Sequence, residues 1–448
     1  MKLLLKLLLF ISLCFCTNFL AQDLVAEKGS FGVDTKHKII VWHIPNLDSV
    51  KIDYKNSKIV KFNEDFKLTD VSVEEFSYSK GFSVLNEDSY TLYITKLPLI
   101  HLSIDTSKIK STFKIPGYFT YFNDNKYIKT VTGLRYRGNL SLTFAKKSFD
   151  LEFWKDSLSE QEKDIKLKGL RSDGDWILDA MFNEPLRLRS FVAANLWTKI
   201  HKPYYLEKEP KAKSGFEVKY VEVFQNNEYY GLYQLSESVD RKQLKLKKNI
   251  KKTMNGELFK ANSYDGGPDF SKSPEKYDNK SLYWNGWAAR YPDLNLGFDW
   301  KNLAEFSNLV VKSTDEDFLK NIESKIQISN AIDYFLFVNL LRATDNLGKN
   351  YYLGKYDKNE PYFFIPWDLD GVWGIIQDGV TIWNTNDVLD NGLFERLIEI
   401  NPNGYKEKVK ERWTELRSKE FSNEALFSKI NKIYHRFTEE KIYEREQL

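Results

Sequence analysis

The hydrophobic pattern of the chain changes near residue 300. Before residue 260, short runs of β-branched and aromatic residues alternate between turn residues, which is typical of β-strands. From Trp300 onward, apolar residues recur at the spacing of amphipathic helices. We therefore expect an α+β fold in which a strand-rich part to about residue 260 precedes a helical part from about residue 300.

Local patterns predict the following elements. Strands are expected at residues 38–43, 50–54, 90–94, 112–115, 133–138, 148–153, 351–354 and 362–366. A hairpin is expected over residues 220–235, with Asn226 and Asn227 as its turn. Helices are expected at residues 186–200, 303–311, 329–341, 392–400, 405–417 and 422–443. Residues 261–299 are rich in Gly, Pro, Asn and Asp, and predict a long ordered loop.

The first 21 residues have the pattern of a secretory signal. Lys2 and Lys6 precede and interrupt a leucine-rich apolar run, and the small residue Ala21 stands before Gln22. A transmembrane anchor is the alternative, but polar residues break the run. Both cysteines, Cys14 and Cys16, lie inside this segment. We expect an exported protein, secreted, periplasmic or in the cell envelope, without disulfides and without a stable membrane anchor after cleavage.

The length of 448 residues predicts more than one domain. We expect a small all-β, sandwich-like module at residues 22–96 and a larger domain at residues 97–440. A formal net charge of +3 gives no indication of a nucleic-acid partner. The five histidines have no metal-ligand spacing, and the sequence contains no nucleophile elbow, Walker loop or Gly-rich dinucleotide motif.

Two acidic clusters suit phosphoryl transfer. Asp345 and Asn350 have an Asp-x4-Asn spacing that offers a base and a metal-binding amide, and Asp368 and Asp370 offer two hard oxygens to Mg²⁺. The alternatives are that Asp345 ends a helix at a turn and that Asp370 caps the turn at Gly371. Upstream lie a lysine pair, Lys146 and Lys147, and then Glu237, in the order in which a kinase presents them.

Several blocks of sequence together resemble the CotH family, the secreted or spore-coat atypical protein kinases. The blocks occur in order at residues 137–141, 146–149, 186–190, 227–240, 345–352 and 366–370. The resemblance spans about residues 97–440. It implies an atypical protein-kinase-like, two-lobed domain that uses ATP and Mg²⁺ or Mn²⁺.

The resemblance also implies residue roles. Lys147 or Lys146 would hold the nucleotide phosphates, and Glu237 would orient that lysine or contact the nucleotide. Asp345 would act as the base for the attacking hydroxyl. The metal would be held by Asn350, Asp368 and Asp370, and the segment from Arg137 to Ser141 would close over the phosphates in place of a Gly-rich loop.

The sequence therefore favours an exported kinase that phosphorylates Ser or Thr hydroxyls of extracellular or envelope proteins. One alternative is a non-catalytic binding protein of the same fold that recognises a glycan or a partner protein through aromatic loops such as residues 283–287. A second alternative, a metal-dependent glycosyltransferase, explains Asp368 and Asp370 but not Lys147, Glu237 or Asn350.

Overall fold

The computed structural model describes residues 23–446, except residues 64, 65, 70, 87, 159, 251, 252, 383 and 384. The expected signal segment therefore lies outside the described residues. The described chain mixes α-helices with several β-sheets, which confirms the α+β class. No helix in the described part is long and apolar enough to cross a membrane.

The N-terminal module contains two small sheets around one apolar core. The first sheet holds β1 (Leu24–Val25), β4 (Ile59–Lys61) and β5 (Lys67–Thr69), and the second holds β2 (Phe31–Asp34), β3 (Ile39–His43), β7 (Asp88–Thr95) and β6 (Phe82–Asn86). The module is not all β, because the strand expected at residues 50–54 belongs to helix α1 (Leu47–Asp53). Asn46 caps this helix by accepting a hydrogen bond from Ser49 N at 3.2 Å.

Seven strands after the module close into a barrel in the order β10-β11-β14-β16-β15-β8-β9. The strands are β8 (Leu99–Ser103), β9 (Ile115–Asn123), β10 (Lys126–Arg137), β11 (Ser148–Trp154), β14 (Asp175–Asp179), β15 (Val218–Gln225) and β16 (Glu228–Glu237). The parallel pairing of β8 with β15 completes the ring, whose other pairings are antiparallel. The strand expected at residues 112–115 is wrong except for its last residue, Ile115, where β9 begins.

The predicted hairpin is confirmed. Strands β15 and β16 pair across Asn226 and Asn227, and these residues have φ angles of 50° and 67°. Asparagine tolerates this left-handed conformation, which a two-residue hairpin turn of this type requires.

A five-stranded antiparallel sheet, called the five-stranded sheet below, has the order β18-β19-β17-β20-β21. Its strands are β17 (Glu257–Ala261), β18 (Tyr283–Trp284), β19 (Trp287–Tyr291), β20 (Tyr351–Lys355) and β21 (Tyr362–Pro366). The prediction of a loop throughout residues 261–299 is therefore wrong for β18 and β19, which extend this sheet. Strands β12 (Ile165–Lys166) and β13 (Ser172–Asp173) form a separate pair.

Most of the helices lie in the second half of the chain, as predicted. They are α2 (Arg189–Ile200), α3 (Arg241–Leu244), α4 (Lys301–Lys312), α5 (Asp315–Lys325), α6 (Ile328–Leu341), α7 (Gly392–Ile400), α8 (Tyr405–Arg417), α9 (Asn423–Glu439) and α10 (Ile442–Arg445). Trp197 of α2 packs against Phe337 of α6, with ring centroids 5.3 Å apart. Helix α2 and the five-stranded sheet thus share one large core with the later helices.

The last described residues return to the barrel. Arg445 donates to both carboxylate oxygens of Glu222 on β15, at 2.8 and 2.7 Å, and both side chains are fully buried. Glu446 accepts a hydrogen bond from Leu232 N at 2.5 Å and pairs with Lys146. The C-terminal helix is therefore fastened to the outside of the barrel by buried charges.

Candidate active site

The two acidic motifs are joined by one buried amide. Asn346 lies in the turn of 3₁₀-helix that follows α6, and its Nδ2 donates to Asn350 O at 2.6 Å and to Trp367 O at 2.8 Å. Strand β20 begins directly after Asn350, and β21 ends directly before Trp367. Because β20 pairs with β21, the segments that carry Asp345 and Asp368 are held side by side at one edge of the sheet.

Asp345 and Asn350 are in direct contact. Asn350 Nδ2 donates to Asp345 Oδ2 at 2.6 Å, and Lys349 Nζ lies 4.0 Å from the same oxygen. Burial raises the pKa of Asp345, and the nearby charge of Asp368 raises it further. The Asp-x4-Asn spacing thus places an amide beside an oriented carboxylate, and the roles of base and metal-binding amide stay predictions.

Asp368 connects this edge to the barrel. Arg137, the last residue of β10, places a guanidinium nitrogen 3.8 Å from Asp368 Oδ1 and lies over the Trp367 ring at 5.5 Å. Asp179, at the end of β14, lines the same small cleft. Asp368 has a φ angle of 53°, a conformation that costs a non-glycine residue energy and is concentrated at functional sites.

Asp370 lies among like charges. Burial, followed by the charges of Asp368, Asp179 and Asp345, raises the pKa of Asp370 well above its usual range. Its carboxylate accepts a long hydrogen bond of 3.4 Å from Asn183 Nδ2. Carboxylate and amide oxygens are the ligands that Mg²⁺ prefers, and a divalent cation would relieve this repulsion, so the donor set fits a metal.

A more compact acidic group lies elsewhere. In the described part of the chain, the three carboxylates whose oxygens lie within 4.8 Å of one another are Glu162, Asp173 and Asp175. These already have basic partners: Lys242 lies 3.0 Å from Glu162, Lys114 lies 3.6 Å from Asp175, and Arg171 contacts Asp173. The existing salt bridges account for this group without a metal.

The predicted phosphate-binding lysines have other partners. Lys146 is buried, donates to Leu232 O at 2.7 Å and pairs with Glu446. Burial lowers the pKa of Lys146 to about 8, although Glu446 opposes the shift. Lys147 donates to Leu142 O at 2.8 Å and to Phe144 O. It therefore stabilises the loop that follows β10.

Glu237 pairs with a different lysine. Its buried carboxylate accepts hydrogen bonds from Lys213 Nζ at 2.7 and 2.9 Å and from Gln243 Nε2 at 3.0 Å. In the described structure the contact expected between Glu237 and Lys146 or Lys147 is not formed. Glu237 therefore forms its ion pair with Lys213, and its other expected role, contact with the nucleotide, stays a prediction.

The segment from Arg137 to Ser141 forms a tight turn beside the cleft. Gly138 has a φ angle of 108°, and Ser141 Oγ donates to Arg137 O at 3.1 Å. A Cβ atom on Gly138 would lie 1.7 Å from Ser141 Oγ, so this turn requires glycine.

Sequence reasoning missed Lys260. This residue lies in β17, where burial lowers its pKa to about 8 against the opposing effect of Asp368, and its basic neighbours Arg137, Arg290 and Lys349 lower it further. No motif marks Lys260. The available signal is a single lysine in the otherwise mostly apolar run Leu258–Ala261.

Comparison with known proteins identifies the family. Residues 134–447, most of the chain, match the CotH kinase protein family. No curated protein matches the chain. The match confirms the resemblance found in the sequence and includes every residue of the cleft described above. The chain therefore belongs to the CotH kinase protein family.

Proposed function

We propose that the protein is a metal-dependent kinase that transfers the terminal phosphoryl group of ATP to Ser or Thr hydroxyls of proteins. The observation that carries this proposal is the connection made by Asn346, which holds the Asp345–Asn350 pair against the segment of Asp368 and Asp370. A base and a metal-binding set held together on rigid strands are what positioning catalysis of phosphoryl transfer requires.

Asp345 supplies the base. Its carboxylate is fixed by the amide of Asn350, and its raised pKa makes it a better proton acceptor than an exposed aspartate. It would take the proton of the acceptor hydroxyl as the oxygen attacks phosphorus. Lys349, 4.0 Å away, favours the ionised form that this role needs.

Asn350, Asp368 and Asp370 would hold Mg²⁺ or Mn²⁺. Asn350 donates one amide hydrogen to Asp345, which leaves its amide oxygen for a cation. A bound divalent cation would neutralise charge on the phosphate oxygens. The residues around it restrict the cleft, since Arg137 lies over Trp367 and beside Asp368.

We further propose that the barrel and the helical part act as the two lobes of a kinase-like domain, with the cleft between them. The turn from Arg137 to Ser141 projects from the barrel at this cleft and would close over the phosphates. Binding of phosphate by Lys146 or Lys147 stays a prediction, and either lysine would first have to leave its present acceptors. The acceptors are proposed to be extracellular or envelope proteins, in keeping with the signal-like first 21 residues.

The direct test is phosphotransfer with labelled ATP and Mg²⁺ or Mn²⁺, followed by mapping of modified residues. Asp345→Asn should lower the rate about a hundredfold to ten-thousandfold, the usual effect of losing a positioned base, while nucleotide affinity is kept. Asp368→Asn should weaken both metal-dependent nucleotide binding and turnover. Asp390→Asn, at an exposed aspartate outside the cleft, is the matched control and should have no effect. Full activity in a folded Asp345→Asn protein would exclude that residue as the base.

A second candidate function is non-catalytic binding. The contacts of Lys146 with Glu446 and of Glu237 with Lys213 favour it, because they occupy the groups that a kinase would be expected to use on the nucleotide. The same experiment separates the two functions. A wild-type protein that binds neither ATP nor a nucleotide sugar with either metal would favour the binding protein.

A further inference from the structure

Lys260 lies on β17, the middle strand of the five-stranded sheet. In β17 it pairs with Ala288 of β19 on one side and with Tyr352 of β20 on the other. Its neighbour Phe259 stacks on Trp300, next to α4, with centroids 5.2 Å apart. Because successive side chains of a strand point to opposite faces, Lys260 lies on the other face, away from Trp300.

That face of the sheet carries a side chain, Tyr352, that contacts the residues of the candidate active site. The ring of Tyr352 meets Trp367 with centroids 5.7 Å apart, and Arg137 lies over the same Trp367 ring. Asp368 is close enough to act on the Lys260 charge. Lys260 therefore shares a sheet face with Tyr352, which contacts Trp367, and its ammonium group is within electrostatic range of Asp368.

Lys260 is a partly buried cation without a charged partner in the described part of the chain. Its Nζ has neither a hydrogen-bond acceptor nor a carboxylate within salt-bridge distance among the residues that the structure describes. Two other shielded lysines have partners: Lys213 pairs with Glu237 at 2.7 Å, and Lys355 pairs with Glu257 at 3.5 Å. An ammonium that is withdrawn from water without compensation costs free energy, so an anionic ligand is the group that would satisfy it.

The surroundings favour a polyanion. Arg137, Arg290 and Lys349 all lie near enough to lower the pKa of Lys260 by repulsion. Their positive charge lies beside the acidic side chains that are suited to a metal ion. A basic group next to a metal-binding carboxylate set suits a nucleotide phosphate chain, which carries several negative charges and itself binds the metal.

We propose that Lys260 binds the phosphate chain of the nucleotide, in the role that the sequence order suggested for Lys146 or Lys147. This inference rests on the proposed kinase function. Lys260 approaches from the sheet that carries Asp345 and Asp368, whereas a lysine of the usual kinase arrangement would come from the strand-rich lobe. The phosphates would then lie between Lys260 below and Arg137 above.

Lys260→Met tests the inference through the difference between nucleotides. Loss of a charge-assisted contact should weaken binding of Mg²⁺–ATP and Mg²⁺–ADP by about tenfold to a hundredfold. Affinity for adenosine should stay unchanged, because adenosine has no phosphate. Titration calorimetry on the full chain gives these affinities. Methionine keeps most of the length of the side chain and removes a partly desolvated charge, so the melting temperature should be equal or higher.

Lys429→Met is the matched control. Lys429 is also partly buried and has no ion pair in the described part of the chain, but it lies on α9, outside the cleft. Its replacement should leave all the nucleotide affinities unchanged. A second measurement needs no variant: Mg²⁺–ATP should slow acylation of Lys260 by an amine reagent in the wild-type protein and leave Lys429 equally reactive.

The outcomes separate the two proposals. If the wild-type protein binds no ATP, the proposed function fails and this inference fails with it. If the wild-type protein binds ATP and Lys260→Met binds it equally well, or loses adenosine affinity to the same extent, only the role of Lys260 is overturned. Unchanged acylation of Lys260 in the presence of saturating Mg²⁺–ATP would overturn it as well.

Discussion

Replacing Arg445 with methionine should destabilise the protein strongly. Arg445 and Glu222 are both 0% exposed, so water and salt do not screen the pair. Arg445 donates to Glu222 at 2.8 and 2.7 Å and to Glu440 O at 2.6 Å. In Arg445→Met the carboxylate of Glu222 would stay buried, with Tyr229 OH at 2.7 Å as a remaining donor.

The size of the effect follows from this geometry. Each hydrogen bond between charged groups contributes about 1.5–3 kcal/mol, and breaking a fully buried ion pair from one side costs about 3–5 kcal/mol. We therefore expect Arg445→Met to lower the free energy of unfolding by about 3–5 kcal/mol. Adding Glu222→Gln should recover part of this loss, because the second change removes the unpaired charge.

Urea unfolding followed by tryptophan fluorescence measures these free energies for the single and double variants. Arg436→Met is the matched control, since Arg436 is 39% exposed and pairs with Glu440 at 3.1 Å. Such an exposed pair should contribute less than about 1 kcal/mol. A loss below about 1 kcal/mol in Arg445→Met, or a double variant no more stable than the single one, would refute the reasoning.

Three further predictions concern pH, packing and metal. Burial lowers the pKa values of His43 and His101 to about 4 in the folded protein. As the pH falls, the unfolded chain therefore binds protons at these histidines before the folded protein does. The free energy of unfolding should be highest above pH 6.5 and should decrease as the pH drops from 6.5 to about 4. His101→Phe should remove its share of that pH dependence in urea unfolding. A Cβ on Gly133 would lie 2.1 Å from the Trp154 ring, so Gly133→Ala should cost about 1–3 kcal/mol in the same assay. Asp370→Asn should raise the melting temperature without metal, because it relieves repulsion among carboxylates, and should reduce the rise that Mg²⁺ produces; an unchanged response to Mg²⁺ would remove Asp370 from the metal set.

The helical half of the fold could be predicted from the sequence because its signals are local. Helices α7 and α8 begin and end where the apolar spacing indicated, at Gly392–Ile400 and Tyr405–Arg417. The error at residues 50–54 is also local, since the apolar residues there suited a strand but Asn46 caps a helix. Closure of the barrel could not be predicted, because it depends on parallel pairing between β8 and β15, which are distant in the chain.

The same distinction holds for the candidate site. Asp345, Asn350 and Asp368 are close in sequence, and two adjacent strands bring them together. The partners of the lysines were not predictable, because Lys146 pairs with a residue 300 positions away. Lys260 has no motif at all, and its relation to the site became evident only when the sheet paired it with Tyr352 and brought it within electrostatic range of Asp368.

The buried fastening of the C-terminal helix has a consequence for biosynthesis. Glu222 and Arg445 are 223 positions apart in the sequence. The ribosome therefore synthesises every barrel strand long before it adds the arginine that neutralises the Glu222 carboxylate on β15. A chain that ends before residue 445 would hold Glu222 and Lys146 without their ion-pair partners, and we expect it to remain a good substrate for chaperones and proteases. These buried ion pairs can therefore form only after translation has reached residues 445 and 446.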